Sequence, residues 1–296
     1  MKKNANKEKQ KLLVDAKADI CSADSNVKSP QTCSDSYKLS YADQEFLLRD
    51  ELRPLRLQLE LLKPEIILQE HNIHSTIVVF GSTRILSPGD AKAKYDSAVE
   101  LAVNKKNDSL SQKNVKIAKR LMAKSIYYDM AKEFSAQVSA NNEKASGISL
   151  VVVTGGGPGI MEAANRGAKE VGSPTVGMNI TMPYEQAPNP YITPKLCFQF
   201  HYFALRKMHF LLRAKAIAVF PGGYGTLDEL FDALTLLQTH KIKPMPILLF
   251  GKDYWDKVIN FEEMANEGVI SNEDLSCFQF VESAQKGCDA INEFYQ

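Results

Sequence analysis

The chain has 296 residues, of which 44% are hydrophobic and 24% are charged, and its formal net charge is +1. This length permits one large or two small domains with a sizeable core, and the balanced charge argues against nucleic acid or an anionic membrane as a partner. Five scattered cysteines without a CxxC pair argue against a disulfide framework or a zinc site. We therefore expect a cytoplasmic protein from a reducing compartment, with no bound metal.

The first part of the chain divides into two segments of different composition. Residues 1–40 are rich in Lys, Asp, Ser and Asn with weak periodicity, so we expect a flexible or partly helical tail. They lack the apolar stretch of a secretory signal. Residues 41–74 carry leucines near helical spacing and predict a helical N-terminal extension, broken or kinked at Pro54 and Pro64. Two interpretations of this extension stay open: a brace packed on the main domain, or a dimerisation arm. No apolar run in the chain approaches the roughly 20 residues that span a bilayer.

From residue 75 onward, short apolar runs alternate with helical patterns. The predicted strands are STIVVFGSTR (75–84), ISLVVVT (148–154), PTVGMNI (174–180), AIAVF (216–220), PILLF (246–250) and FQFVES (278–283). A polar interruption at 105–114 is interpreted as a loop between two helices. Continuous apolar strands separated by helices indicate a parallel sheet covered on both faces. We predict an α/β fold, a Rossmann-like doubly wound parallel sheet over residues 75–296, preceded by the helical extension.

Three turns of small residues follow predicted strands, at Gly81–Ser82, 155–159 and 222–225. The carboxyl ends of parallel strands meet at one edge of the sheet, where ligands bind, and a helix N-terminus attracts phosphate. Four glycines within 155–159 exceed what a tight turn requires. Neither glycine segment fits GxGxxG or ends in the Lys-Ser/Thr of a P-loop, which disfavours a dinucleotide site and ATP hydrolysis. The sequence predicts a nucleotide-sized ligand held by backbone amides, with no cofactor.

The segment PGGYGTLDEL (221–230) places two carboxylates in the turn that should receive an anion. Glu229 follows Thr226 by three residues and lies on the same helix side, whereas Asp228 is rotated by about 100° and is expected to face solvent. A structural alternative stays open for Glu229, because T-L-D-E is also a capping box with Thr226 as N-cap. Arg206 has its own alternative, a solvated helix face. The nearby His201 and His209 are interpreted as structural histidines.

Three motifs in this part of the chain resemble those of one enzyme family. PGGYGTLDE (221–229) matches the PGGxGTxxE signature of the LONELY GUY family, the cytokinin riboside 5′-monophosphate phosphoribohydrolases. GGGPGIMEAAN (155–165) resembles its other glycine motif, and ALRKMHF (204–210) carries the Arg-Lys pair that precedes the strand leading to PGGxGT. The resemblance runs from about residue 75 to 270. Members have also been labelled lysine decarboxylases, although no lysine here stands in a recognisable pyridoxal-phosphate context.

The resemblance implies a Rossmann-like enzyme, a homodimer or higher homo-oligomer with its active site near the subunit interface. Such an enzyme hydrolyses a nucleoside 5′-monophosphate to the free base and ribose 5-phosphate. By similarity, Arg206 and Glu229 are the catalytic pair. The predicted substrate-binding residues are Ser82, Gly156, Gly157, Glu162, Lys207, Gly222, Gly223, Gly225 and Thr226.

The chain departs from the short members of the family in two ways. About 75 residues precede the first predicted strand, and Glu162 stands where those members often have a glycine. The identity of the base is therefore left open. An alternative function also stays open, a non-catalytic nucleotide or molybdenum-cofactor carrier with the same PGGxGT loop.

Overall fold

The computed structural model describes residues 15–24, 27–105, 108–140, 149–183 and 187–296. The chain divides into two compact units, one ending at Leu59 and one running from Glu60 to Gln296. The predicted tail over residues 1–40 lies partly outside the described residues, and its described part contains the short helix α1 (Ala16–Asp24). None of the described helices combines the length and the apolar character needed to cross a membrane.

Two helices follow in the predicted helical extension, α2 (Gln44–Leu47) and α3 (Arg53–Glu70). Asp43 caps α2, because its side chain accepts a hydrogen bond from the Phe46 backbone N–H at 3.1 Å. Neither proline ends α3, so the predicted break does not occur. Pro54 lies in the first turn, where its missing N–H has no helical partner, and Pro64 is buried inside the helix.

The second unit is built on a parallel sheet. The described strands are β1 (Thr76–Phe80), β2 (Val151–Thr154), β3 (Thr175–Ile180), β4 (Cys197–Phe200), β5 (Ala214–Val219), β6 (Ile247–Phe250) and β7 (Gln279–Val281). Their order is β4-β3-β2-β1-β5-β6-β7, and every neighbouring pair is parallel. The predicted doubly wound, Rossmann-like sheet is confirmed. The sequence analysis missed β4, whose residues alternate between exposed and buried at the sheet edge.

Helices cover both faces of this sheet. They are α4 (Pro88–Asn104), α5 (Ser109–Ala123), α6 (Ile126–Ala140), α7 (Ile160–Glu170), α8 (Phe203–Leu212), α9 (Tyr224–Gln238), α10 (Lys252–Val258), α11 (Phe261–Asn266) and α12 (Ala284–Tyr295). Successive residues of β1 point to opposite faces, so Val78 joins one core with Phe210 and Trp255. Ile77 joins the other core with Phe134. The predicted division into two helices is found, but the predicted loop over 105–114 is too long: α4 ends at Asn104 and α5 begins at Ser109, so residues 109–114 are helical.

The strand order reverses at β1, and this reversal positions the site. From β1 the chain builds β2, β3 and β4 on one side, then returns to place β5 on the other. The helices that follow β1 and β5 therefore pack on opposite faces of the sheet and leave a crevice at its carboxyl edge, where doubly wound folds bind ligands. Backbone hydrogen bonds hold the loops after β1 and β5 in register, from Phe220 N–H to Phe80 O at 2.9 Å and from Ser82 N–H to Pro221 O at 3.1 Å.

Close packing of α6 on α7 requires a glycine at position 167, because a Cβ there would overlap the Lys132 carbonyl oxygen. We expect Gly167→Ala to lower the free energy of unfolding by about 1–3 kcal/mol, measured by denaturant titration. Gly89→Ala in α4 is the matched control, since its Cβ would meet no atom within 4 Å. Its expected change is within about 1 kcal/mol of zero. Equal destabilisation by both variants would contradict this account of the helix contact.

Candidate functional site

A cleft of about 540 Å³ opens at the carboxyl edge of the sheet, between the loops that follow β1 and β5. This volume is in the range of small-molecule sites. Six residues predicted from sequence line it together: Ser82, Arg206, Gly223, Gly225, Thr226 and Glu229. Gly156, Gly157, Glu162, Lys207 and Gly222 do not line it. The structure therefore brings the predicted catalytic pair and part of the predicted binding set into one place.

Helix α9 begins earlier than the capping-box interpretation requires. Its N-cap is Gly223 and its first residue is Tyr224, so Thr226 lies inside the helix and does not cap it. The capping box is wrong, because the glycine-rich turn lets the helix start before the threonine. Glu229 is the sixth residue of α9, in its second turn. It is therefore too far along the helix to bond the free N–H groups of the first turn as an N3 residue would. Capping therefore does not account for Glu229.

The first turn of α9 is open to a ligand. A Cβ at Gly223 or Gly225 would meet no atom within 4 Å, and neither glycine has a positive φ. Neither packing nor backbone strain thus requires glycine at these two positions, whereas the close approach of a ligand to the backbone would. The first N–H groups of a helix have no partner within the helix, and the first bond recorded here runs from Leu227 N–H to Gly223 O. This turn can receive an anion.

Gly222 has a different role, because other atoms pack closely around it. A Cβ there would overlap the Thr226 side chain, and its carbonyl oxygen accepts a hydrogen bond from the Tyr254 hydroxyl of α10. Gly222 therefore shapes the turn from behind and does not line the cleft. Tyr254 was missed by the sequence analysis, since it lies more than twenty residues beyond the motif and carries no local signal.

Glu229 is a buried carboxylate near the partly buried guanidinium of Arg206. Only 9% of Glu229 is exposed. Burial raises the pKa of Glu229 to about 7, against the opposing effect of the positive charges of Arg206 and Lys207. Burial likewise lowers the pKa of Arg206, while the charge of Glu229 raises it. A carboxyl group whose pKa lies near neutrality is suited to proton transfer at physiological pH.

The neighbouring elements hold Arg206 in one position. Its Nε donates to the Met178 carbonyl oxygen at the end of β3 at 2.8 Å, and its guanidinium lies 5.1 Å from the centre of the Phe210 ring. Gly155 makes room for it, because a Cβ there would lie 2.5 Å from Arg206 Nη2. The first glycine of the GGGPG turn therefore contributes to the cleft by accommodating the arginine.

Lys207 and Asp228 form an ion pair at the edge of the cleft, with 2.7 Å between Nζ and Oδ1. Asp228 was expected to face solvent. Its side chain is 55% exposed, but it also lines the cleft and holds Lys207. The two neighbouring acids thus have separate surroundings, one exposed and paired with a lysine, the other buried beside Arg206.

The second and third glycines of the GGGPG turn, Gly156 and Gly157, belong to a buried polar network. The side-chain amide of Asn189 donates to the carbonyl oxygens of Gly156 and Gly157 at 3.2 and 3.1 Å, and to Asn165 Oδ1 at 2.9 Å. Asn165 also accepts from the Thr154 hydroxyl at 2.7 Å. These bonds use the glycine carbonyls to fix the turn, which explains why the two glycines lie behind the cleft surface.

Glu162 also lies apart from the cleft. Its carboxylate accepts a hydrogen bond from the Tyr128 hydroxyl of α6 at 2.9 Å. The helix places Met161 in the cleft lining and directs the next residue toward α6. Glu162 therefore lies outside the cleft lining, on the side of α7 that faces α6, and its contact with substrate stays a prediction.

His209 has a structural environment, as predicted. It is buried, its Nε2 lies 3.2 Å from the Glu60 carbonyl oxygen, and burial lowers its pKa. His201 is exposed, and its backbone N–H donates to the Glu60 carboxylate at 2.8 Å. Within the described ranges, no group of three or more His, Cys, Asp or Glu side chains is placed to hold a metal ion.

Comparisons with known proteins give one family match. Residues 161–291 match a family model described as possible lysine decarboxylase. Because members of the LONELY GUY family have carried this label, the match confirms the resemblance for that part of the chain. No curated protein matches the chain.

Several solved structures are similar at low identity. The X-ray structure of the structural-genomics target TM1055 is 19% identical, with a TM-score of 0.45, and the match covers 74% of this chain and 99% of that one. A structure of the molybdenum cofactor carrier protein from Chlamydomonas reinhardtii is 19% identical, with a TM-score of 0.39, covering 57% and 87%. A second structure of the Moco carrier protein from the same organism is 20% identical, with a TM-score of 0.39, covering 57% and 86%.

The raised pKa of Glu229 has a consequence for stability. The folded protein retains the Glu229 proton up to about pH 7, whereas an unfolded glutamate loses it near 4.5, so this residue lowers stability as pH rises between those values. We expect Glu229→Gln to be more stable than the wild type at pH 8, by on the order of 1–3 kcal/mol. The difference should shrink toward pH 5. Denaturant titration at both pH values measures it, and a variant that is less stable at pH 8 would contradict the assignment of a desolvated carboxylate.

Proposed function

We propose that the chain hydrolyses the N-glycosidic bond of a nucleoside 5′-monophosphate, releasing the free base and ribose 5-phosphate. One observation carries the proposal: the open first turn of α9 and the buried Glu229 share one cleft. Glu229 follows Gly223 by six residues, or about 9 Å along the helix axis. A phosphate bound at the turn therefore has its sugar within reach of the carboxylate.

The residues suit the chemistry of this bond. Departure of the base develops positive charge on the ribose, which a buried carboxylate stabilises strongly. Water supplies the hydroxyl that joins the anomeric carbon, and Glu229 accepts the proton of that water. The base leaves with the electron pair of the broken bond and takes up a proton from solvent, to which Glu229 releases its own. Arg206 lies beside Glu229 and favours its ionised form before the reaction.

The mouth of the cleft offers surfaces for a planar base. Phe203 and Tyr224 both line it and are 56% and 93% exposed. Exposed aromatic rings at a binding site can stack on a heterocycle. These rings can stack on any planar base, so they support a nucleotide as the ligand class. Experiment must determine whether the base is adenine, a prenylated adenine or another base.

The alternative is a carrier that binds an intact nucleotide or molybdenum cofactor through the same turn. Such a carrier needs the open helix end but has no use for a desolvated carboxylate facing the ligand, which costs stability and repels an anion. The burial of Glu229 therefore favours hydrolysis.

We also propose, from the family resemblance, that the protein is a homodimer or higher homo-oligomer, which light scattering on the purified protein measures.

Hydrolysis is tested by incubating the protein with a panel of nucleoside 5′-monophosphates and assaying free base by chromatography. We expect base release from at least one of them. Glu229→Gln should lower kcat by about 10²–10⁴-fold, because the charge-stabilising and proton-accepting group is lost. Glu262→Gln is the matched control, an exposed glutamate on α11 outside the cleft lining, and should retain activity. Tight binding of an intact nucleotide without turnover would contradict the proposal and indicate the carrier.

The pH dependence of kcat/KM reports the ionisation of Glu229 in the enzyme without bound substrate. Glu229 must be ionised to act, and its pKa is raised to about 7 by burial. We expect kcat/KM to fall about tenfold for each pH unit below that value, and to level off above it. Circular dichroism at each pH controls for unfolding. A profile that is flat from pH 5 to 8, or that rises toward acid, would show that Glu229 does not act as the ionised base.

A further inference from the structure

We propose that Arg84 binds the phosphate group of the substrate and is the principal mobile cation of the cleft. This inference rests on the proposed function and adds a residue that the sequence analysis did not single out. Arg84 lines the cleft from the loop after β1, and its side chain is exposed. In the described part of the chain, no carboxylate forms an ion pair with it.

Among the described residues that line the cleft, Arg84 is the exposed cation without an ion-pair partner. Arg206 is only partly buried, but its Nε is bonded to the Met178 carbonyl oxygen and its charge is partly offset by Glu229. Lys207 is paired with Asp228 and lies outside the cleft lining. A phosphate dianion entering the cleft meets the carboxylates of Asp228 and Glu229, and the helix N-terminus offers only about half a positive charge. A guanidinium can supply the positive charge that the phosphate still needs, because it can bind two phosphate oxygens at once.

The backbone on both sides of Arg84 is fixed, although its exposed side chain forms no ion pair with the residues that the structure describes. The Arg84 backbone N–H donates to Ser82 Oγ at 3.0 Å, and Ile85 is only 1% exposed. Ser87 then caps α4 by accepting from the Asp90 N–H at 3.3 Å. Ser82 is itself bonded to Pro221 O, at the start of the α9 turn. The arginine is thus anchored beside the anion-binding turn, and binding requires ordering of one side chain only.

Ribose 5-phosphate is the probe, because it tests the phosphate contact without requiring turnover. Titration calorimetry should show that Arg84→Gln weakens its binding by about 10–100-fold relative to wild type, with a smaller dependence on salt concentration. Arg84→Lys should restore part of the affinity through charge alone. Lys94→Gln is the matched control, an exposed cation on α4 outside the cleft lining, and should bind as the wild type does.

Turnover separates a binding role from a catalytic one. In Arg84→Gln we expect KM for the hydrolysed monophosphate to rise about 10–100-fold, with kcat changed less than KM. An unchanged denaturant midpoint in this variant controls for misfolding, since the side chain is exposed. Equal affinity of Arg84→Gln and wild type for ribose 5-phosphate would overturn the assignment, as would no binding by folded wild-type protein.

The two proposals fail separately. If no monophosphate releases its base but Arg84→Gln still weakens ribose 5-phosphate binding, the hydrolase proposal falls and the phosphate contact of Arg84 stands. If hydrolysis is observed and Arg84→Gln leaves both ribose 5-phosphate affinity and KM unchanged, the enzyme stands and Arg84 has no part in binding.

Discussion

The burial of Glu229 beside Arg206 is the interaction on which the site depends. A carboxylate in this position costs stability, and shifting its pKa from 4.5 to about 7 corresponds to on the order of 3 kcal/mol at alkaline pH. The fold sustains the pair by holding Arg206 through the Met178 carbonyl, the Phe210 ring and the space above Gly155. The desolvated carboxylate then faces the cleft where positive charge would develop on a sugar.

The parallel sheet positions the loops and the helix end that border Glu229. Because the strand order reverses at β1, the loops after β1 and β5 border one cleft at the carboxyl edge of the sheet. The open N-terminus of α9 and Glu229, which lies in the second turn of the same helix, both line this cleft. Hydrogen bonds from Asn189 and Tyr254 support the turns from behind, so the backbone groups at the front are left for a ligand. An anion and a nascent cation, the two ends of a ribose phosphate, would thus contact different parts of one helix.

Much of the fold could be predicted from sequence, because buried parallel strands are continuous apolar runs such as TIVVF and ILLF. The edge strand β4 could not, since its alternating CFQF pattern sits between a loop and a helix. The capping-box error at Thr226 arose because a glycine can take the N-cap position without a side-chain signal. Glu162 and Arg84 show a further limit. Helix periodicity and loop composition do not tell which polar side chain faces a cleft formed by distant loops.

The most direct test of the central claim is a crystal structure of Glu229→Gln with adenosine 5′-monophosphate bound. The account predicts the phosphate at the first turn of α9, on the N–H groups near Gly225, with the anomeric carbon of the ribose facing the side chain at position 229. A phosphate bound elsewhere in the cleft, or a ribose turned away from position 229, would contradict it.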